Sequence, residues 1–100
     1  MPTTPQLYKT PPVNGTKTVT TSSTLVLAGN SARTGVRIVN NDQGNRIWVS
    51  EGEAAVVGRG ECLFPAGDYK RNGETQVFKG DIYAIAENAS CVASFIEEYE

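Results

Sequence analysis

Residues 35–50 read GVRIVNNDQGNRIWVS. Two runs rich in β-branched and aromatic residues, 36–39 and 46–49, flank a cluster of Asn, Asp and Gly. Those three residue types tolerate left-handed turn conformations, so the pattern predicts a β-hairpin with residues 41–44 as its loop. The register then sets Ile38 against Ile47 and Val36 against Val49 on an aliphatic side that faces the core. Arg37 falls opposite Trp48 on the other side, where a cation–π contact is expected. A slip by one residue would mix the two faces.

The same logic extends towards the C-terminus. Residues 82–86 and 91–96 flank Glu87-Asn88-Ala89-Ser90. A hairpin there opposes Ile82 to Phe95 and Ala84 to Ala93, with Ile85 opposite Val92 and Tyr83 opposite Ser94. Both faces are largely apolar, which predicts a strand pair central in a sandwich or covered by another subunit. Tyr83, Ile85 and Val92 are the expected subunit-interface residues. The acidic end, residues 97–100, reads as a solvated tip.

Between these stretches, short strands are expected at 24–27, 54–57, 61–64, 69–71 and 75–78. Gly, Asn and Pro separate them, and Pro65-Ala66-Gly67-Asp68 is a strong β-turn signal. No window carries apolar residues at helical spacing. Short strands with turn signals every eight to twelve residues or so point to an all-β fold, a compact antiparallel β-sandwich or barrel, jelly-roll arrangements included. Residues 18–100 form this single β-domain. Residues 1–17, with Pro2, Pro5, Pro11 and Pro12 among several Thr, favour an extended or polyproline II arm. Leu7, Tyr8 and Val13 are its expected anchors on a neighbouring surface.

The composition narrows the function classes. The chain has 100 residues, a formal charge of −2 and no histidine. One domain with no basic patch is a poor nucleic-acid binder. The absence of histidine removes the commonest general base and the usual partner of a Ser or Cys nucleophile. The carboxylate pairs Glu51/Glu53 and Glu97/Glu98 lie at turns or the chain end, where solvated charge is the ordinary reading rather than glycoside hydrolysis. Gly58-Arg59-Gly60 lacks the rest of a phosphate loop, and the Asn/Asp cluster lacks the spacing of a calcium loop. No catalytic, cofactor or metal site is expected. Cys62 and Cys91 sit in apolar runs and read as buried free thiols, with a disulfide between neighbouring strands left open. No apolar run approaches the ~20 residues that span a bilayer, and residues 1–15 lack the apolar core of a signal peptide. Synthesis in a cytoplasm is the expectation.

The succession TSSTLVLAGN (21–30), ARTGVRIVNN (32–41), NRIWVS (45–50), Phe64-Pro65-Ala66-Gly67 and GDIYAIAENAS (80–90) resembles the small all-β virion proteins of tailed bacteriophages. These occur as head decoration or cement proteins and as domains of head fibres. The resemblance runs from about residue 18 to residue 95. It implies a structural protein on the virion, most naturally on the head surface. It also implies the major capsid protein as partner, self-association, a trimer included, and no catalytic residues. A head-fibre or tail-attached protein is the alternative within that class. A carbohydrate-binding module is the alternative outside it, with Trp48 and Tyr69 or Tyr83 as an aromatic platform.

Overall fold

The computed structural model describes residues 12–72 and 76–99. Eight strands follow one another: β1 (Val13–Val19), β2 (Thr24–Leu27), β3 (Arg33–Asn40), β4 (Ile47–Glu51), β5 (Glu61–Leu63), β6 (Asp68–Arg71), β7 (Ile82–Ala86) and β8 (Cys91–Tyr99). They form two four-stranded sheets, ordered β1-β8-β3-β6 (sheet A) and β2-β7-β4-β5 (sheet B), with every pairing antiparallel. The pairs β1–β8, β2–β7, β3–β6 and β4–β5 are nested around the 52–60 turn. The chain is one long hairpin rolled into a sandwich, and this strand order is that of a jelly roll.

Two expected hairpins are therefore corrected. β3 lies in sheet A and β4 in sheet B, so residues 36–39 and 46–49 are not a hydrogen-bonded pair. Ile38 opposes Tyr69 and Phe95, while Ile47 opposes Leu63 and Ala86. β7 and β8 are likewise split between the sheets. The face assignments survive this change. Val36, Ile38, Ile47 and Val49 all point into the core, joined by Ile82, Ala84 and Ala93. Strand periodicity fixes which residues face inward but not which strand lies alongside.

The Asn/Asp cluster makes a corner between sheets. Buried Asn40 donates from Nδ2 to the Asn45 and Leu63 carbonyls at 2.8 and 2.9 Å, and its Oδ1 accepts from Asp42 N at 2.9 Å. Its backbone exchanges hydrogen bonds with Ala66 and Gly67. Asp42 Oδ2 caps the corner, accepting from Gly44 N at 2.9 Å and Asn45 N at 2.7 Å. Asn40 thus ties the β3–β4 corner to the β5–β6 turn. That turn spans residues 64–67, one residue earlier than expected, with Gly67 N bonded to Phe64 O at 2.7 Å and Ala66 at φ 66°.

At the opposite end, fully buried Arg33 donates to Ala28 O (2.7 Å), Phe78 O (2.7 Å), Gly80 O (3.0 Å) and Glu97 Oε2 (2.7 Å). A guanidinium is the side chain with enough donors in one plane to gather the β2–β3 loop, the 76–81 segment and β8. Glu97 is therefore a structural partner, and β8 continues through Tyr99 where a solvated tip was expected.

Other strand expectations also change. Residues 54–57 and 76–79 are loops. Ala55 is buried in its loop, its N–H held by Ser23 Oγ at 2.8 Å. Thr75 lies outside the described residues. β1 begins at Val13, so residues 13–17, assigned above to the arm, are hydrogen-bonded along β8. Pro12 lacks an N–H and cannot extend that ladder. Gly15 lies beneath the Phe95 ring, which would meet an added Cβ at 2.7 Å.

Candidate protein-contact surface

The sandwich presents four edge strands and two outer faces. Each edge carries a feature that discourages pairing with another sheet. On β1, Lys17 stands opposite Ala93, which places a charge on the core-facing side of the strand. β2 is bulged between Leu25 and Leu27. β5 is three residues long, and β6 carries Asp68, Lys70 and Arg71.

The open side between β5 and β6 is closed by polar groups. Buried Tyr69 donates its hydroxyl to Glu51 Oε2. Arg71 lies 4.5 Å over the Tyr69 ring and pairs with Glu61 at 2.6 Å and Glu51 at 3.9 Å. Burial, and then the Glu51 hydrogen bond, raise the Tyr69 pKa well above its ordinary value of 10.0. These residues line a cleft of about 440 Å³. Its floor is spent on internal pairing: Tyr69, Arg71, Glu51 and Glu61 bind one another. Glu53, the other member of the expected pair with Glu51, is exposed and bridged to Arg59 at 3.5 Å. Among the described residues, no three His, Cys, Asp or Glu side chains gather as a metal site. Cys62 and Cys91 are free thiols on different sheets, Cys91 buried and Cys62 half-buried.

The outer face of sheet B differs in kind. Leu25 of β2 opposes Tyr83 of β7, which opposes Ser50 of β4. One row further, Ile85 of β7 opposes Trp48 of β4, which opposes Cys62 of β5. Leu25, Tyr83, Ile85, Trp48, Ser50 and Cys62 make a face without a formal charge across four strands. Leu25 is 40 % exposed and the rest are half-buried. Charges stand at its end. Glu87 accepts from the Trp48 indole N–H at 2.9 Å and from Arg46 at 2.5 Å. Those two bonds, with the Arg46 charge, hold the Glu87 carboxyl below the usual 4.5. Arg46 in turn lies 5.6 Å over the ring of Phe64, which is 60 % exposed. The expected contact between Trp48 and Arg37 is corrected: Arg37 pairs with Asp68 at 2.9 Å on the other sheet.

The outer face of sheet A is mixed. Val92 and Ile96 of β8 are exposed, at 47 % and 37 %. Thr18 and Asn14 of β1 flank them on one side and Arg37 and Val39 of β3 on the other. Arg37, Val39, Asn41, Ser94 and Ile96 line a shallow groove of about 350 Å³ there.

Of the residues singled out from sequence, Tyr83 and Ile85 come together on the outer face of sheet B, while Val92 lies on the opposite face of the molecule. Tyr69, a candidate platform partner of Trp48, is 1 % exposed and faces the core. Tyr83 remains diagonal to Trp48 on the shared face. Val13 is exposed in β1, and Leu7 and Tyr8 lie outside the described residues. Leu25 and Cys62 were not anticipated at this surface. Only the register across β2, β7, β4 and β5 brings them beside Tyr83 and Trp48. No protein-family model, curated protein or solved structure matches the chain.

Proposed function

We propose that this chain is a structural, non-enzymatic protein of a tailed-phage virion that decorates the head surface and stabilises the shell. The observation that carries the reading is the uncharged outer face of sheet B in a body whose four edges resist strand pairing. An apolar face of aromatic and aliphatic residues is what a protein partner covers, and association is thereby directed to faces and away from edges. In this reading sheet B makes contact between copies of the chain, with Tyr83 and Ile85 at its centre. Sheet A, with Val92 and Ile96 set among Arg37, Thr18 and Asn14, meets the major capsid protein. Its mixed chemistry suits a contact repeated many times over a shell, where avidity makes up for modest single affinities. The sequence resemblance supports the same role. The jelly roll is found in viral capsid proteins and in lectins alike, so the fold is compatible with the reading without selecting it.

Co-sedimentation of the full chain with stripped capsid shells tests the proposal. Saturable binding, lost in Ile96→Asp, is the expected result. Trimerisation in solution without shell affinity would move the protein to a fibre or tail attachment. The carbohydrate reading draws on Trp48 and Tyr83 sharing one face. Glycan binding abolished by Trp48→Ala, with no affinity for shells, would replace the present proposal with that one.

A further inference from the structure

We infer that the outer face of sheet B receives the N-terminal segment, residues 1–11, of a neighbouring copy of this chain. The inference rests on the reading of that face as a contact between copies and names the element that fills it. A face four strands wide and at most five residues tall has a footprint on the order of 250 Å² or less at ordinary strand spacing and rise. A stable globular interface needs about 800 Å² from each partner. The face is thus too small to hold two bodies together by itself, yet it suits an extended peptide of about seven residues.

β1 runs antiparallel along β8, and its first residue, Val13, opposes Glu97. Pro11 and Pro12 stand immediately before it. A proline pair fixes its own φ angles and disfavours the helical region for the residue before it. β1 belongs to sheet A, so the segment joins the body on the sheet opposite the receiving face, and its eleven residues at about 3.1 Å each span at most roughly 34 Å. A segment of that length can span to the face of an adjacent copy.

Proline-rich segments dock on aromatic-lined surfaces because they lose little conformational entropy on binding. Residues 1–11 carry Pro2, Pro5, Leu7, Tyr8 and Pro11, with Lys9 as their only charged side chain. The face offers Trp48 and Tyr83 beside Leu25 and Ile85, with Asp81 close to the Tyr83 hydroxyl (3.4 Å) as an acidic neighbour for Lys9. Each copy gives one segment and offers one face, so the contact is heterologous and closes into a ring where the rotation permits.

The test uses full-length chains and complementation. Leu7→Asp/Tyr8→Asp breaks the segment and keeps the face; Leu25→Asp/Ile85→Asp breaks the face and keeps the segment. Circular dichroism and denaturant midpoints first establish that both variants fold. Sedimentation velocity is then run from about 1 to 200 μM, with acrylamide quenching of Trp48, the only tryptophan. The wild type is expected to associate, with Trp48 quenching falling at least about twofold as concentration rises. Each variant alone should stay monomeric, and the two mixed should form a one-to-one complex. A wild type monomeric throughout, or two inactive variants that do not complement, would overturn the inference. Concentration-independent protection of Trp48 that is lost in Leu7→Asp/Tyr8→Asp would also overturn it, by placing the segment on its own body. No shell is present in this experiment, so its failure is distinct from failure of the co-sedimentation test.

Discussion

Arg33 Nε lies 2.7 Å from Glu97 Oε2, with the Arg33 side chain fully buried and Glu97 at 12 % exposure. The pair joins the start of β3 to β8, and the other guanidinium nitrogens hold three backbone carbonyls. Breaking such a group from one side leaves the remaining partners buried and unsatisfied, which costs roughly 3–5 kcal/mol. Arg33→Ala is expected to lower stability by that amount, and Arg33→Lys by much of it, because an ammonium does not reproduce the planar fork. Urea midpoints compared with wild type check this; an Arg33→Lys variant of wild-type stability would contradict it.

The corner at Asn40 makes a similar demand on a smaller scale. Asn40→Ala removes two donors and one acceptor from a buried site and should cost about 2–3 kcal/mol. Asn40→Asp keeps the shape but turns donors into acceptors facing the Asn45 and Leu63 carbonyls, and should cost at least as much. Thermal unfolding of both variants tests the ordering.

Two turn positions predict opposite signs. Gly60 has φ +88°, and an added Cβ would lie 2.3 Å from the Val49 carbonyl oxygen, a backbone atom. Gly60→Ala should destabilise by 2 kcal/mol or more, at about the scale of overpacking combined with a left-handed backbone. Ala66 holds φ 66° with a side chain present. Ala66→Gly relieves that strain at the expense of unfolded-state entropy and should be neutral to about 0.5 kcal/mol stabilising. Paired melting curves decide both.

Acid sensitivity follows from Glu87 and Asp42. Both carboxyls are held below their ordinary values of 4.5 and 3.8, Glu87 by Trp48 and Arg46, and Asp42 by the Gly44 and Asn45 amides. A group with a depressed folded pKa contributes stability that is present above its unfolded pKa and is lost as pH falls through the folded one. Stability should therefore drop as pH falls below about 4.5. Glu87→Gln should flatten that drop while lowering stability at neutral pH. An unchanged acid limb in Glu87→Gln would contradict the assignment.

Sequence reasoning recovered the β class, several strands and most inward-facing residues, because alternation with a period of two is written in the residues themselves. It placed Ile38 and Ile47 in the core correctly, yet paired them as hairpin neighbours when they belong to opposite sheets. The reason is physical. A jelly roll satisfies the same alternation by carrying the chain from one sheet to the other, so Ile38 meets Phe95 and Tyr69, residues distant in sequence. The buried amide of Asn40 and the buried guanidinium of Arg33 hold these crossings in place. Neither role is visible from neighbouring residues, since Asn in a turn and Arg at a strand start are ordinarily solvated. The uncharged outer face of sheet B was half legible. Tyr83 and Ile85 stood out through their apolar setting, whereas Leu25 and Cys62 join them only through register.

The most direct test of the account is hydroxyl-radical footprinting of the full chain, free and bound to stripped capsid shells. The prediction is that Val92 and Ile96 lose labelling on shell binding. Leu25, Trp48, Tyr83 and Ile85 should be protected to the extent that copies associate, with or without a shell. Shell-dependent protection confined to Leu25, Trp48, Tyr83 and Ile85, or no change on either face in the presence of shells, would contradict the assignment of the two faces and the virion role built on it.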